Sequence, residues 1–376
     1  MNITAHNDIR KHTLSIPALV TDAIRPTFSS CFRAFQNYDI SRLDKIVITG
    51  CGYSYAAALA AKDHLSKLTQ LPVIVSPAIE VSRFSHFCSG AFSNSLLIAI
   101  SNSGSVSRIN EALALYRKHA VFTVGLTANF SREISKYADI LLSTHSPSIG
   151  RSLPLRGYAM TFLTLIAIGY TLYIQRQKLL LGALEPVMED LRYTMAQLEQ
   201  ALPDIDKRVL QYTLDHKDIR SFEFVGSGFE RAAAFLGKIE MMGQAGLLAS
   251  DEDSEQWCHC NFFLANPEQI GTVIFLASNS PAVSRTREAL TYMLHLKRPV
   301  CVVTDDPALT SANGMQVIHL PEISPANAGL FEMTVPSLLT GYICELLGES
   351  YSRGFRDQWA MFKDGCGTCE SKIIII

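Results

Sequence analysis

The sequence predicts an α/β protein with two copies of one domain, each built on a parallel sheet of about five strands. Three observations predict it: short apolar runs of strand length alternate with helical patterns, a serine-rich loop occurs twice, and a Gly-x-Gly turn occurs twice. Strands that alternate with helices are typical of parallel sheets covered by helices. The 376 residues, 48% of them hydrophobic, are enough for two ordinary cores.

The first serine-rich loop lies between a predicted strand and a predicted helix. Residues 96–100 are an apolar run, residues 101–105 read Ser-Asn-Ser-Gly-Ser, and a helical pattern follows. Such a loop brings hydroxyl donors together with the unpaired N–H groups of the first helical turn, where the helix dipole favours negative charge. Gly104 lets the backbone approach a bound group closely. The loop therefore predicts a phosphate site, although an ordinary helix cap and turn would use the same residue types.

The same pattern returns later in the chain. Residues 273–292 repeat the serine-rich segment at an offset of 177 residues (278 − 101), and the Gly-x-Gly segment 46–65 is matched by 222–241. Matches that run through a loop, where no periodicity enforces similarity, predict a duplication. Pro281 stands where the first loop has Gly104. We therefore expect the second copy to have lost phosphate binding and to serve as framework.

Changes in composition divide the chain into five predicted parts. The connector between the two domains is rich in Leu, Glu, Gln and Arg, and Pro203 is expected to break its helix. The last part is expected to be an extension over the body rather than a domain. The parts are an N-terminal helical arm (1–44), a first domain (45–178), a helical connector (179–217), a second domain (218–347) and a C-terminal tail (348–376).

Composition excludes several classes of protein. A net charge of −2 without a basic block argues against a nucleic-acid partner. Residues 1–17 lack the apolar core of a signal peptide, and nine scattered cysteines fit a reducing cytoplasm better than a disulfide framework. Residues 158–174 are nearly free of charge, but they contain threonines and are fewer than the roughly 20 residues of a membrane span. We therefore expect a cytoplasmic protein with no membrane partner, in which this run is a core or dimer helix.

Two other ligand patterns are weak. The first Gly-x-Gly turn lacks the third glycine and the acidic residue of a dinucleotide site. Cys258 and Cys260 with Cys366 and Cys369 could hold zinc, but C-x-C with C-x-x-C is not a common ligand spacing. We therefore expect neither a dinucleotide nor a metal.

The motifs resemble the sugar isomerase (SIS) domain family, whose members bind phosphosugars. The resemblance rests on GCGYSYAAAL at 50–59, ISNSGSVSRINEAL at 100–113, EQWCH at 255–259 and the tandem duplication with its linker, and it covers nearly the whole chain. Tandem members include the isomerase half of glucosamine-6-phosphate synthase, amino-sugar phosphate deaminases or isomerases, and fructoselysine-6-phosphate deglycases. The resemblance implies two flavodoxin-like three-layer α/β/α domains, a homodimer, a phosphorylated sugar substrate, and a site between domains and subunits without metal or organic cofactor.

The resemblance also implies which residues hold the phosphate. The family often has a threonine where this chain has Val106, so Ser105 or Ser107 would supply the missing hydroxyl. The implied phosphate-binding residues are Cys51, Gly52, Tyr53, Ser54, Ser101, Asn102, Ser103, Ser105 and Val106.

A catalytic group is implied in the second copy and at the chain end. Its members are Glu240, Glu252, Glu255, His259 and Lys372. Plain alternatives remain open: Glu240 as a helix-surface carboxylate, His259 as a packed core histidine, and Lys372 as a solvated tail residue.

One family residue is missing from this group. The glutamate that usually moves a proton between C1 and C2 would fall at Leu247 or Leu248. Either Asp251, Glu252 or Glu255 replaces it, or the chemistry differs. The acidic run that contains these residues is also typical of a solvated loop without a catalytic role.

The predicted function is that of a phosphosugar aldose–ketose isomerase, or of a related amino-sugar phosphate deaminase or deglycase, acting on a 6-phosphorylated sugar. The phosphate would anchor the substrate, His259 would open the sugar ring, and a carboxylate would transfer the proton. The alternative is a non-catalytic regulatory module that binds sugar phosphates, which the missing glutamate favours.

Overall fold

Two parallel sheets of five strands form the framework of the protein, which confirms the predicted α/β class. The computed structural model describes residues 7–150, 153–312, 314–351, 353–363 and 365–375. The strands are β1 (Lys45–Gly50), β2 (Val73–Pro77), β3 (Ser95–Ile100), β4 (Phe122–Thr127), β5 (Ile140–Ser143), β6 (Ser221–Val225), β7 (Leu248–Glu252), β8 (Ile270–Leu276), β9 (Val300–Thr304) and β10 (Met315–His319).

Helices flank both sheets, as the predicted three-layer α/β/α domains require. The α-helices of the described residues are α1 (Asp8–Leu14), α2 (Ile16–Phe35), α3 (Tyr53–Thr69), α4 (Ser107–Lys118), α5 (Leu155–Arg176), α6 (Glu185–Asp215), α7 (Arg231–Glu240), α8 (Ser254–His259), α9 (Val283–His295), α10 (Ala328–Phe331) and α11 (Thr334–Leu347).

The two sheets have the same strand order. It is β2-β1-β3-β4-β5 in the first sheet and β7-β6-β8-β9-β10 in the second, counted from the matching edge. Thr49 pairs with Ala99 in the first sheet, and Val225 pairs with Ile274 in the second. This order is that of flavodoxin-like sheets. It fits the predicted duplication, which remains an inference from the sequence.

The central strands are apolar because parallel strands covered by helices are buried on both faces. All six residues of β3 and all seven of β8 are buried. Their side chains supply much of the apolar area whose removal from water stabilises each core, at roughly 25 cal/mol per Å². A polar substitution inside either strand would leave a buried group without a partner.

The chain forms two compact units. The first unit comprises the described residues within 19–193 and 353–376, and the second unit comprises those within 1–18 and 194–352. The divisions fall inside α2 and α6, and the C-terminal tail belongs to the unit that holds the first sheet. The predicted boundaries of the five parts stay a prediction.

In the part of the chain that the structure describes, two helical segments are long and apolar enough to cross a membrane, α5 and the stretch Ala328–Leu347. Of their most apolar windows, 89% and 83% of the residues are buried inside the fold. α5 packs tightly on α3, since a Cβ added at Gly169 would lie 3.3 Å from Leu65 Cγ. Both segments are therefore core helices of the α/β fold, and their apolar character follows from burial on all sides.

The predicted break at Pro203 is wrong. α6 is a helix of 31 residues that passes through this proline. Proline removes one helical hydrogen bond and disfavours the helix interior. Leu198, Leu202 and Ile205 are all 3% exposed or less and continue the same helix face on both sides of the proline. Burial of this face offsets the local cost, so tertiary packing overrides the propensity.

Candidate functional site

The serine-rich loop of the first unit connects β3 to α4, as predicted. Ser101 is buried at the end of β3, whereas Asn102 and Ser103 are exposed. β3 lies beside β1, so the turn at Gly50–Gly52 reaches the same edge of the sheet. Between β1 and β3 the strand order reverses, and ligands of open parallel sheets bind at such a point beyond the carboxyl ends of the strands. The structure thus brings both predicted sets of phosphate ligands together at one sheet edge.

Hydrogen bonds within the serine loop fix its shape. The Val106 N–H donates to Ser101 Oγ at 3.4 Å, and the Ser105 N–H donates to Ser103 Oγ at 3.3 Å. The Thr144 hydroxyl donates to Asn102 Oδ1 at 2.9 Å. The loop is therefore a preorganised cluster of hydroxyl and N–H groups.

Gly104 cannot be replaced without strain. Its φ is +74°, a conformation that residues with a side chain rarely adopt. A Cβ here would also lie 2.7 Å from Arg132 Cβ. The glycine that sequence analysis identified for close approach is thus also required by the backbone of the loop itself.

The second predicted set begins at the turn after β1. Gly52 has a φ of +54° and precedes α3, and the Ser54 N–H donates to Cys51 O at 3.1 Å. A Cβ at Gly50 would lie 2.8 Å from the Ser54 backbone, so glycine permits this tight entry into α3. Tyr53 and Ser54 are half-buried in the first turn of α3, and burial raises the pKa of the half-buried Cys51 thiol. Cys51, Tyr53 and Ser54 follow the carboxyl end of β1, the strand that lies beside β3 and its serine loop.

The C-terminal tail contacts the start of α4. The Ser107 N–H, in the first turn of α4, donates to Thr368 O at 3.0 Å, and Ser107 Oγ donates to Cys369 O at 3.3 Å. The Arg108 guanidinium donates to Lys372 O, so Lys372 is held near the loop by its backbone while its side chain is exposed. Sequence analysis missed these contacts, because only Lys372 in this part of the tail was linked to the site.

Glu111 connects the tail to the fold. Its side chain is 1% exposed and forms ion pairs with Arg83 at 2.8 Å and Arg108 at 3.0 Å. It also accepts a hydrogen bond from the Ile374 N–H. A buried carboxylate with two arginine partners is well satisfied, and the tail backbone donates one further hydrogen bond to it.

In the matching loop of the second unit, the donors are bonded to a side chain of the protein itself. Glu230 occupies the position of Ser54 in the repeated Gly-x-Gly motif, at an offset of 176 residues (230 − 54). The Ala277 N–H donates to Glu230 Oε1 at 2.6 Å, and the Ser280 hydroxyl donates to Oε2 at 3.4 Å. Burial raises the pKa of Glu230 to about 8. A carboxyl group of the chain itself therefore occupies donors of the second loop.

Asp305 completes this internal arrangement. It accepts hydrogen bonds from the Ser278 N–H at 2.7 Å and from the Ile323 N–H at 2.8 Å. The neighbouring Glu332 is fully buried, and burial raises its pKa well above the usual range. The replacement of Ser54 by Glu230 in the aligned motif is a signal that sequence analysis could have used.

Glu240 is buried, so its interpretation as a helix-surface carboxylate is wrong. It is 2% exposed at the end of α7 and accepts a hydrogen bond from Ser337 Oγ at 2.8 Å. Leu248 is 71% exposed and occupies one of the two positions at which the missing glutamate was expected. The helix widens into a π-helical turn at Met241–Ala245 before the chain reaches β7.

The acidic run divides into three environments. Asp251 is buried and forms ion pairs with Arg231 at 2.9 Å and with Lys238, so it is a structural group. Glu252 is half-buried at the end of β7, and burial raises its pKa. Glu255 is exposed on α8 and pairs with Arg285 at 2.7 Å. Glu252 thus combines partial solvent access with a raised pKa.

His259 is the last residue of α8 and is exposed, so it is not a packed core histidine. Together with Glu240, Glu252 and Glu255 it lies in the second unit, while the predicted phosphate ligands and Lys372 lie in the first. Over the ranges that the structure describes, no three His, Cys, Asp or Glu side chains are grouped so that they could hold a metal ion.

Comparison with known proteins relates this geometry to a family. Residues 39–169 match the model of the SIS domain. The mouse (Mus musculus) glutamine–fructose-6-phosphate aminotransferase [isomerizing] 2 is 24% identical over 317 residues, which cover 82% of this chain and 45% of that protein. The chain thus spans about half the length of the curated relatives it matches.

Solved structures show the same fold. The C-terminal domain of glucosamine-fructose-6-phosphate aminotransferase from Francisella tularensis has a TM-score of 0.78 and 18% identity, and covers 92% of this chain and 98% of that one. Tagatose-6-phosphate ketose/aldose isomerase from Escherichia coli has a TM-score of 0.68 and 14% identity, with 90% and 92% covered. Residues 39–169 therefore resemble a SIS domain, and the chain shares its fold with these two solved structures.

Proposed function

We propose that this protein is a phosphosugar-processing enzyme, an aldose–ketose isomerase or a related amino-sugar phosphate deaminase or deglycase, which acts on a 6-phosphorylated sugar. The observation that carries the proposal is the serine loop at the strand-order reversal of the first sheet, inside the region that matches the SIS domain. The names of the mouse relative and of the tagatose-6-phosphate isomerase both specify a sugar 6-phosphate.

The serine loop is suited to anchor the phosphate. Ser101 and Ser103 supply hydroxyl groups, Asn102 is oriented by Thr144, and Gly104 permits close approach. The first turn of α4 adds N–H groups and a favourable dipole. Binding energy from the phosphate can then hold the reacting carbons in place, which lowers the barrier of the chemical step.

Glu252 is the best candidate for the proton transfer next to the carbonyl or imine. A general acid–base is most efficient when its pKa lies near the working pH, and burial shifts the pKa of Glu252 in that direction. Glu240 is held by Ser337 in a buried position, and Glu255 is engaged by Arg285. His259, exposed at the end of α8, is assigned the opening of the sugar ring.

The second candidate function is a regulatory module that binds a sugar phosphate without converting it. The observation that favours it is Leu248, an exposed apolar side chain at one of the two positions of the missing glutamate. Such a module would keep the serine loop and lack turnover.

One experiment separates the two functions. The full chain is incubated in deuterated water with fructose 6-phosphate, glucosamine 6-phosphate or glucose 6-phosphate, and deuterium uptake is followed by NMR at C1 of the ketose and at C2 of the two aldoses. Enzymatic exchange with at least one sugar, reduced by roughly 10²-fold in Glu252→Gln, supports the enzyme. The matched control Glu268→Gln changes an exposed carboxylate of the same unit and should exchange like the wild type. Binding without exchange for any sugar would identify the regulatory module.

We further propose that the protein is a cytoplasmic homodimer that requires neither metal nor organic cofactor and binds neither nucleic acid nor membrane. The net charge of −2 and the SIS-domain relationship support these assignments. Analytical ultracentrifugation at micromolar concentration should show about twice the chain mass of 41.5 kDa. A species of 41.5 kDa alone would contradict the dimer.

A further inference from the structure

Two cysteines of the tail lie beside the proposed phosphate loop. Cys366 and Cys369 are separated by Gly367 and Thr368, and their Sγ atoms are 3.8 Å apart. Cys366 is exposed, whereas Cys369 is half-buried with its Sγ 4.0 Å from Ser103 Oγ. Ser103 is one of the hydroxyl groups assigned to phosphate, so the thiol pair adjoins the anion site.

The segment between these cysteines already holds the start of α4. The Thr368 carbonyl accepts the hydrogen bond of the Ser107 N–H at 3.0 Å, and the Cys369 carbonyl accepts from Ser107 Oγ at 3.3 Å. First-turn N–H groups of a helix are the donors that bind anions. A tail docked in this way therefore competes with a bound phosphate for a donor at the N-terminus of α4.

We propose that Cys366 and Cys369 form a reversible disulfide that fastens the tail across the N-terminus of α4 and weakens phosphate binding at the serine loop. Disulfide formation is independent of the proposed function, whereas the effect on affinity rests on it. The sulfur atoms need to approach from 3.8 Å to about 2 Å, a small movement within an exposed turn.

The oxidant is a low-molecular-weight disulfide of the glutathione class. The Cys366 thiolate attacks one sulfur of this disulfide and releases one small thiolate, which takes up a proton to become a thiol. The Cys369 thiolate then attacks the Cys366 sulfur of the mixed disulfide and releases the second small thiolate, which is likewise protonated. Two protein thiols are oxidised to one disulfide, and one small disulfide is reduced to two thiols.

The order of the two attacks follows from exposure. Cys366 is accessible to a small disulfide, while burial raises the pKa of Cys369 and favours its neutral thiol. Cys369 is thus the resolving thiol, which acts within the chain where proximity compensates for a low thiolate fraction. Closing the Cys366–Cys369 ring removes conformational freedom from the released tail and so favours the docked state.

The first test is chemical. The full chain is treated with oxidised glutathione, the remaining thiols are alkylated, and the peptides are analysed by mass spectrometry. The peptide that holds Cys366 and Cys369 should lose two hydrogen atoms and resist alkylation, and dithiothreitol should reverse both changes. Exposed Cys88 serves as the matched single thiol, which cannot close such a ring. Absence of this disulfide, or a disulfide from Cys366 to Cys51, would overturn the proposal.

The second test measures the consequence. Titration calorimetry compares fructose 6-phosphate binding to reduced and oxidised protein, and we expect oxidation to weaken it about tenfold, or about 1.4 kcal/mol. Cys366→Ser and Cys369→Ser should bind equally under both conditions, while Cys88→Ser should respond like the wild type. Equal affinity of the oxidised and reduced wild type would show that the disulfide does not affect phosphate binding.

A third readout does not need a ligand. Amide hydrogen exchange of the Ser107 N–H should slow when the wild type is oxidised and stay unchanged in Cys366→Ser. If reduced protein bound no sugar phosphate, the proposed function would fail, but slowed exchange would still support the fastened tail. Unchanged exchange in the oxidised wild type would contradict it.

Discussion

The two serine-rich loops of this protein follow equivalent strands, yet their donors have different partners. In the first loop, the Ser101 and Ser103 hydroxyls accept from N–H groups of their own loop, and exposed Ser103 lies 4.0 Å from Cys369 Sγ. In the second loop, the Ala277 N–H is bonded to the buried carboxyl group of Glu230, and the Ser278 N–H is bonded to Asp305. One loop is open to a ligand, and the other contains its own acidic group.

The difference distinguishes a loop with an exposed hydroxyl from a loop whose donors are bonded to acidic side chains of the protein. A single change, serine to glutamate at the position shared by Ser54 and Glu230, places an internal carboxyl group on the donors of the loop. Buried N–H groups need partners, and an internal carboxyl satisfies them permanently. The second unit can then carry other tasks, of which the proposed one is the chemistry of Glu252 and His259.

The largest expected effect tests this division of tasks. His259→Asn keeps a polar side chain but removes the imidazole, so turnover should fall by roughly 10²-fold or more with affinity little changed. His295→Asn, at the end of α9 in the same unit, is the matched control and should retain activity. The measurement is steady-state kinetics on whichever sugar phosphate shows deuterium exchange. Full turnover of His259→Asn would move the chemistry to the carboxylates alone.

A smaller effect is expected from the loops themselves. Replacing both Ser101 and Ser103 by alanine removes two donors to a charged group, each hydrogen bond worth about 1.5–3 kcal/mol. Affinity for fructose 6-phosphate should drop by tens-fold or more, whereas the pair Ser278→Ala and Ser280→Ala should change it little. Titration calorimetry of the two double variants decides the matter. Similar losses from both would abolish the contrast between the loops.

The last comparison concerns stability and pH. Burial raises the folded-state pKa of Glu230 from 4.5 to about 8, so between these values the folded protein keeps a proton that the unfolded chain releases. Protonated Glu230 therefore contributes fully to the free energy of unfolding below pH 4.5, and this contribution is lost as the pH rises through about 8. The free energy of unfolding falls by up to about 1.4 kcal/mol per pH unit in this range.

Urea denaturation at several pH values, compared between wild type and Glu230→Gln, measures this contribution. The wild type should lose stability relative to Glu230→Gln as the pH rises, because glutamine does not titrate. Ser54→Ala, at the matching position of the first unit, should leave the pH dependence unchanged. Parallel curves for wild type and Glu230→Gln would show that Glu230 titrates alike in both states.

The sequence alone determined the fold class and the location of the serine loop. Apolar runs such as 96–100 predict central strands because a parallel strand is buried on both faces and so needs consecutive apolar residues. Such a run can be recognised from the local sequence alone. Gly104 was identified in the sequence for close approach to a bound group, and the structure adds that its φ of +74° favours glycine. The helix through Pro203 was misjudged, because its apolar face rather than its propensity holds it together.

Only the tertiary structure decided which acidic groups are buried and what covers the start of α4. Glu240 and Glu252 look alike in the sequence, yet one is held by Ser337 in the interior and the other is half-buried at the end of β7. The Thr368 carbonyl reaches the Ser107 N–H across 261 residues (368 − 107). Such contacts depend on where the whole chain packs, and no periodicity or spacing encodes them, because burial and its effect on pKa arise from neighbours that are distant in sequence.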